Sequence, residues 1–256
     1  MSDQIHYMVT NLLTGSGVSV SSSGVSATYP ASYVYDDLLD LPMVFETAGS
    51  KDIVIDLGSA QALDTLLIGN HRFASTCTFS IKAGLTASPS TVVSSPAWTR
   101  DYIAADLGSI TARYITITIT GVLAEDWIGE IAVGTKIAFP GSWLLGRKIG
   151  KQHVQIVHKS IFNSKDAYRL ANFADRDYMF RFNPSTQLAD FETFDRTVQG
   201  MITRFWLIES LSTGKVWYGR KEENFEPIET DDRANPPRAI YRLSFEEESK
   251  GSFIYP

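Results

Sequence analysis

Arg113-Tyr114-Ile115-Thr116-Ile117-Thr118-Ile119-Thr120-Gly121 alternates apolar and hydroxyl side chains with a period of two. Successive side chains of a strand point to opposite faces, so Ile115, Ile117 and Ile119 line one face and Thr116, Thr118 and Thr120 the other. That is the pattern of a half-buried β-strand ending in a glycine turn. Similar runs stand on either side of it: residues 52–58, 63–69, 78–82 and 128–133. Short strands separated by Gly, Ser and Pro, with no helical period among them, predict a β-sandwich or jelly roll.

Toward the N-terminus the pattern weakens into Thr14-Gly15-Ser16-Gly17-Val18-Ser19-Val20-Ser21-Ser22-Ser23-Gly24-Val25-Ser26. Val18 and Val20 alternate with serines as an irregular edge strand would, yet a flexible Ser/Gly loop reads equally well. Toward the C-terminus a second texture begins near Phe139-Pro140-Gly141-Ser142-Trp143. Residues 153–157 and 177–182 read as strands. Between Pro184 and Gly200 the period changes to about 3.6, with Leu188, Phe191, Phe194 and Val198 on one face. Asn183-Pro184 or Ser185 can start that helix and Gly200 can stop it. Residues 202–209 and 215–220 form a hairpin around Ser212-Thr213-Gly214. A loop over 231–237 then leads to a last strand, 239–245. The fold class is therefore mainly β: a jelly roll over 1–139, then a smaller α+β domain over 140–256 with an antiparallel sheet and one helix.

The first half resembles the galactose-binding-like, or discoidin (F5/8 type C), superfamily across roughly residues 10–138. The resemblance rests on four elements in order: Tyr35-Asp36-Asp37-Leu38-Leu39-Asp40, then Ile53-Val54-Ile55-Asp56-Leu57-Gly58, then Thr111-Ala112-Arg113-Tyr114-Ile115-Thr116-Ile117, then Ile128-Gly129-Glu130-Ile131. It implies scaffold roles: Gly58 supplies positive φ at a strand end, and Arg113 ties a strand end to Asp56 or another carboxylate. The chain departs from the family where two cysteines commonly join the domain ends, since Cys77 is its single cysteine. In texture the whole chain is similar to phage tail tip and baseplate structural proteins. That likeness lies in Gly129-Glu130-Ile131-Ala132-Val133-Gly134 running on to Phe139-Pro140, and in the Phe-Trp-Leu-Ile and Val-Trp-Tyr strands of the second half.

Charge and composition narrow the partners. Residues 1–140 hold 6 Lys+Arg against 13 Asp+Glu, a net −7, within a chain whose formal charge is −6. An acidic half is a poor match for phosphates, so no nucleic acid is expected. A single thiol makes neither an internal disulfide nor a cysteine-rich zinc site. In Thr76-Cys77-Thr78-Phe79-Ser80-Ile81 it reads as a buried strand residue rather than a reactive group. No apolar run approaches the roughly 20 residues of a membrane helix. The start, Met1-Ser2-Asp3-Gln4-Ile5-His6, lacks a secretion signal, so assembly in a cytoplasm is expected.

Signatures of catalysis are not found. There is no Gly-X-Ser-X-Gly elbow, and the histidines at 6, 71, 153 and 158 are scattered without a metal-binding spacing. A non-enzyme without cofactor or metal is expected. Sugar sites combine a flat aromatic face with a few fixed polar groups. The loop residues Asn70, His71, Arg72, Trp98 and Trp127 offer that set, with Tyr33, Tyr35 and Arg100 as neighbours in kind. A plainer use pairs Arg72 and His71 with nearby acids and lets Trp98 and Trp127 cap the core. Asp36, Asp37 or Asp40 with carbonyls would suit Ca²⁺, although such acidic turns are usually solvated. In the second half Phe205, Trp206, Trp217, Tyr218 and Phe225 exceed the needs of one small core, and Trp and Tyr favour interfaces. The expected function is a structural component of a phage tail particle. Its second domain would form a ring with copies of itself and dock on tail proteins, and its jelly roll would face neighbours or host glycans. The alternative is a free bacterial carbohydrate-binding or adhesion module.

Overall fold

The computed structural model describes residues 4–39, 41–139, 142–159, 165–198, 203–221, 227–231 and 238–247. The strands β1 (His6–Met8), β2 (Ser19–Ser22), β3 (Met43–Val44), β4 (Gly49–His71), β5 (Thr78–Gly84), β6 (Val92–Ser94), β7 (Tyr102–Val122), β8 (Trp127–Gly134) and β9 (Ile137–Ala138) come first. They are followed by β10 (Ser142–Lys159), β11 (Lys165–Phe182), helix α1 (Pro184–Thr197), β12 (Phe205–Ser210), β13 (Lys215–Lys221), β14 (Pro227–Asp231) and β15 (Arg238–Glu247). The chain is mainly β with one α-helix among the described residues, as the sequence predicts.

The chain packs as two units. One holds His6–Ile137 together with Leu207–Trp217, and the other holds the described residues of Ala138–Trp206 and Tyr218–Gly251. In the first unit a seven-stranded antiparallel sheet runs β3-β8-β4-β7-β5-β6, with β2 paired to β4. The alternating isoleucines decide its register. Ile117 stands opposite Ile53 on β4 and Ile81 on β5, and all three are fully buried. Each such side chain contributes about 1.5–3 kcal/mol of apolar burial, which makes a one-residue slip costly because it would turn the whole row to solvent. Of the two readings left open for the Ser/Gly opening, the strand is formed: Val20 pairs with Ile55 at the sheet edge.

β4 and β7 are single long strands that bend where the sequence places turns. Gly58 sits at φ 75° and Gly108 at φ 68°, and register shifts fall between Asp56 and Gln61 of β4. A left-handed residue in mid-strand tightens the local twist, and glycine adopts it without steric cost. Arg113 meets Asp56 across this bend, one of the carboxylates the sequence offers it. β8 is buried along its whole length, so it reads as a covered central strand.

Burial on β8 includes a carboxyl. Glu130 is 1% exposed; Asn11 Nδ2 donates to its Oε1 at 3.3 Å and its Oε2 has no hydrogen-bond partner. Desolvation, then the charges of Asp37 and Asp36, push its pKa up to about 10. The group therefore holds a proton at neutral pH. Asp36 Oδ1 accepts from the Leu38 amide in a local turn. Asp40 lies outside the described residues, and among those described no three His, Cys, Asp or Glu are placed to hold a metal ion.

In the second unit β10, β11, β15 and β13 are neighbours in that order, with β14 on β15. The two early strands expected here, 153–157 and 177–182, are parts of the longer β10 and β11. Helix α1 starts where the sequence places it. Asn183 Oδ1 accepts from the Ser185 amide and Gln187 Oε1 accepts from the Asn183 amide, with Pro184 in the first turn. Its apolar face buries Phe191, Phe194 and Val198 completely, while Leu188 is half-buried. Phe194 packs on Phe139 with ring centroids 4.7 Å apart. Gly200, Phe225 and Pro236-Pro237 lie outside the described residues.

Candidate functional site

β4 ends at Asn70-His71, and the next residues are surface loop. Asn70 has φ 49°, a left-handed conformation that asparagine tolerates better than most side chains. The turn aims its Nδ2 at the Leu39 carbonyl, 2.6 Å away, while its backbone amide donates to the Asp101 carbonyl at 2.9 Å. Asn70 is thus a buried tie between three chain segments.

His71 is also buried and also used internally. Its Nε2 lies 2.9 Å from the Thr99 carbonyl, and its Nδ1 accepts from the Phe73 amide at 3.3 Å. Those partners assign the proton to Nε2. The ring stacks on Phe73 at 5.2 Å and meets the edge of Trp98 at 6.4 Å. Trp98 in turn donates its indole N–H to the Phe73 carbonyl at 2.9 Å, and its half-buried ring packs against the core. Trp98 is therefore fixed against the residues on both sides of Arg72.

Arg72 is different, with a side chain 56% exposed. Its amide donates to the Trp127 carbonyl at 3.1 Å, so its backbone is held while its head group stays in solvent. Nη1 lies 3.5 Å from the Glu125 carbonyl and 3.9 Å from Glu125 Oε2. Glu125 occupies a left-handed position, φ 68°, in the turn before β8. The next residue, Asp126, accepts the Leu123 amide at 2.8 Å, and burial raises its carboxyl pKa. Leu123 on the same turn is 56% exposed.

The five residues singled out in the sequence thus share one neighbourhood but not one role. Asn70, His71 and Trp127 are buried, at 7%, 8% and 8% exposure, and hold the loops. Arg72 and Trp98 are the two that solvent reaches. Arg72 pairs with an acid as the plainer use has it, and His71 bonds to the Thr99 carbonyl and the Phe73 amide. Sequence reading did not single out Glu125 or Leu123. Their signal is the short turn Val122-Leu123-Ala124-Glu125-Asp126 between two β runs, which gives no reason to choose Glu125 over any other surface acid.

Of the aromatic residues expected at an interface, Phe205 is fully buried between Phe194 and Phe245, with centroids 5.4 and 5.3 Å away. Trp206 and Tyr218 are each 3% exposed and pack on one another at 4.7 Å. Trp217 is half-buried; it donates to Glu209 Oε1 at 3.1 Å and meets Tyr102 edge-on at 6.0 Å.

Elsewhere on this unit a groove of about 340 Å³ is lined by Thr10, Asn11, Thr14, Ser16, Ser59 and Gln61 beside Leu12, Val18 and Leu57. It has hydroxyls and amides but neither an aromatic face nor a charge. The Arg72 turn offers guanidinium donors beside a carboxylate acceptor, and the Trp98 indole packs on the adjacent His71.

No protein-family model and no curated protein matches the chain. Among solved structures, a GH29 fucosidase of Ruminococcus gnavus in complex with fucose is similar at 23% identity and TM-score 0.45 over 50% of this chain. The matched part is 27% of that fucosidase chain. A CBM32 module from Clostridium perfringens in complex with GalNAc-β-1,3-galactose is similar at 11% identity and TM-score 0.41, covering 46% of this chain and 94% of that one. Chitosan-binding module 1 of a Paenibacillus sp. IK-5 chitosanase/glucanase is similar at 20% identity and TM-score 0.42, covering 48% of this chain and 98% of that one.

Proposed function

We propose that this chain is a non-catalytic carbohydrate-binding module whose sugar sits against Arg72, Glu125 and Trp98. One observation carries the reading. Arg72 and Glu125 are each more than half exposed yet stand side by side at 3.9 Å, on backbone pinned by buried neighbours. A donor next to an acceptor, both on held backbone, matches two adjacent hydroxyls of a sugar ring, each of which both donates and accepts. The indole of Trp98 supplies an apolar face for the ring's C–H side. The backbone beneath both side chains is ordered without ligand, so the ordering cost of binding falls chiefly on the two exposed side chains.

The test is a glycan-array screen followed by titration of the best binder, with Arg72→Ala and Trp98→Ala alongside. Binding by the wild type, weakened tenfold or more in both variants, is expected. A chain that binds no glycan, or variants that bind as the wild type does, would overturn it. The tail-particle reading has the opposite signature in light scattering: a closed ring with no glycan bound.

A further inference from the structure

The loop that carries Trp98 is held from two sides, and one of them lies far away in the sequence. From β4, Asn70 and His71 bond to the Asp101 and Thr99 carbonyls. Thr99 Oγ1 donates to the Tyr102 carbonyl and closes the loop on itself. On the other side stands the tip of the β12–β13 hairpin, Leu207–Trp217, which belongs to the same unit. Gly214, at φ 62°, lies so close that a Cβ there would be 2.6 Å from Thr99 Cγ2. Its amide donates to the Leu211 carbonyl at 3.2 Å, closing the tip. Trp217 packs edge-on against Tyr102, which is 1% exposed, and Glu209 holds the indole N–H.

We infer that the Leu207–Trp217 tip is a working part of the ligand site: Gly214 and Trp217 position the Trp98–Tyr102 loop, and through it the indole and the His71 support of Arg72. A loop joining two strands is ordinarily the most mobile part of a sheet. Here its freedom is removed before any ligand binds, which is the condition for a rigid stacking platform. Residues 1–139 would then fall short of the whole binding unit, since they lack the hairpin. Only the affinity prediction depends on the sugar-binding reading; loop positioning is tested without ligand.

The experiment uses the full chain and the variants Trp217→Ala, Trp217→Phe and Gly214→Ala. Amide hydrogen exchange is followed at Asn70 and across residues 98–102, with the β7 amides of 115–119 as internal reference. Affinity is measured in parallel for the glycan the wild type binds best. Trp217→Ala is expected to speed exchange at Asn70 and in the loop at least tenfold while the reference amides stay slow, and to weaken binding by a similar factor. Trp217→Phe should restore both, because it keeps a ring against Tyr102. Should Trp217→Ala fail to fold, Gly214→Ala gives the same reading by displacing the Thr99 side chain. Unchanged loop exchange, or loosened exchange with wild-type affinity, would overturn the inference. A wild type that binds no glycan would instead sink the sugar-binding reading and leave exchange to decide the positioning.

Discussion

Arg113 grips Asp56 at two points, Nε to Oδ1 at 2.8 Å and Nη2 to Oδ2 at 3.0 Å, across the bend where β4 and β7 turn together. The guanidinium also lies 4.8 Å from the Tyr114 ring centroid, and Oδ1 accepts the Gly58 amide at 2.8 Å. One pair thus fixes both the strand pairing and the glycine turn.

That grip makes a pH prediction. The Arg113 hydrogen bond, with help from the Gly58 amide, holds the Asp56 carboxyl below its usual range. The folded carboxyl is the stronger acid, so its contribution is present above the unfolded pKa of about 4 and is lost as pH falls through the folded value. Arg113→Ala should melt lower than wild type at pH 7, and the gap should narrow below about pH 4. Melting temperatures scanned against pH check this, and a constant gap would contradict it.

Glu130 titrates with the opposite sign. Its folded pKa, about 10, stands above the unfolded value. The folded state therefore binds the extra proton, and stability from this group is full below about pH 4 and drains away as pH rises toward 10. Glu130→Gln keeps the shape and removes the titration. It should leave stability nearly unchanged in acid and raise it at pH 8–9, as urea midpoints at the two pH values would show.

Ile117 sits at the crossing of three strands with no exposure. Ile117→Ala should cost about 2–5 kcal/mol, the transfer loss plus the cavity left behind. A fall in urea midpoint with an unchanged m value is the expected record.

Cys77 is 4% exposed, donates to the Gly121 carbonyl at 3.3 Å, and has its pKa raised by burial. Neither access nor thiolate is available in the folded chain. A thiol reagent should label it slowly under native conditions and fully, at one site per chain, in denaturant. Rapid native labelling would show that the strand ends around Gly121 open readily.

Arg72→Lys separates charge from geometry at the proposed site. Lysine keeps the positive charge but loses the planar fork of donors beside Glu125. Glycan affinity should fall about tenfold, the worth of one charge-assisted hydrogen bond, and a wild-type affinity would show that charge alone suffices.

Local chemistry alone determined much of this protein. The alternation of Ile115, Ile117 and Ile119 follows from the two-residue period of a strand. The start of α1 follows from Asn183-Pro184 and the 3.6-residue spacing of Phe191, Phe194 and Val198. The turn at Gly58 follows from the freedom of glycine. Each of these is set by residues within one or two turns of chain. What the tertiary structure decided is which polar residues are buried and what they meet. Asn70 and His71 look like ligand-binding groups in the sequence and become struts, because β4 ends beneath the Thr99–Asp101 loop. Glu125 gains its place beside Arg72 only when the turn before β8 folds over the end of β4. Gly214 and Trp217 meet Thr99 and Tyr102 although more than a hundred residues of chain lie between them. Such contacts depend on how distant segments pack, and a window of neighbouring residues carries no record of them.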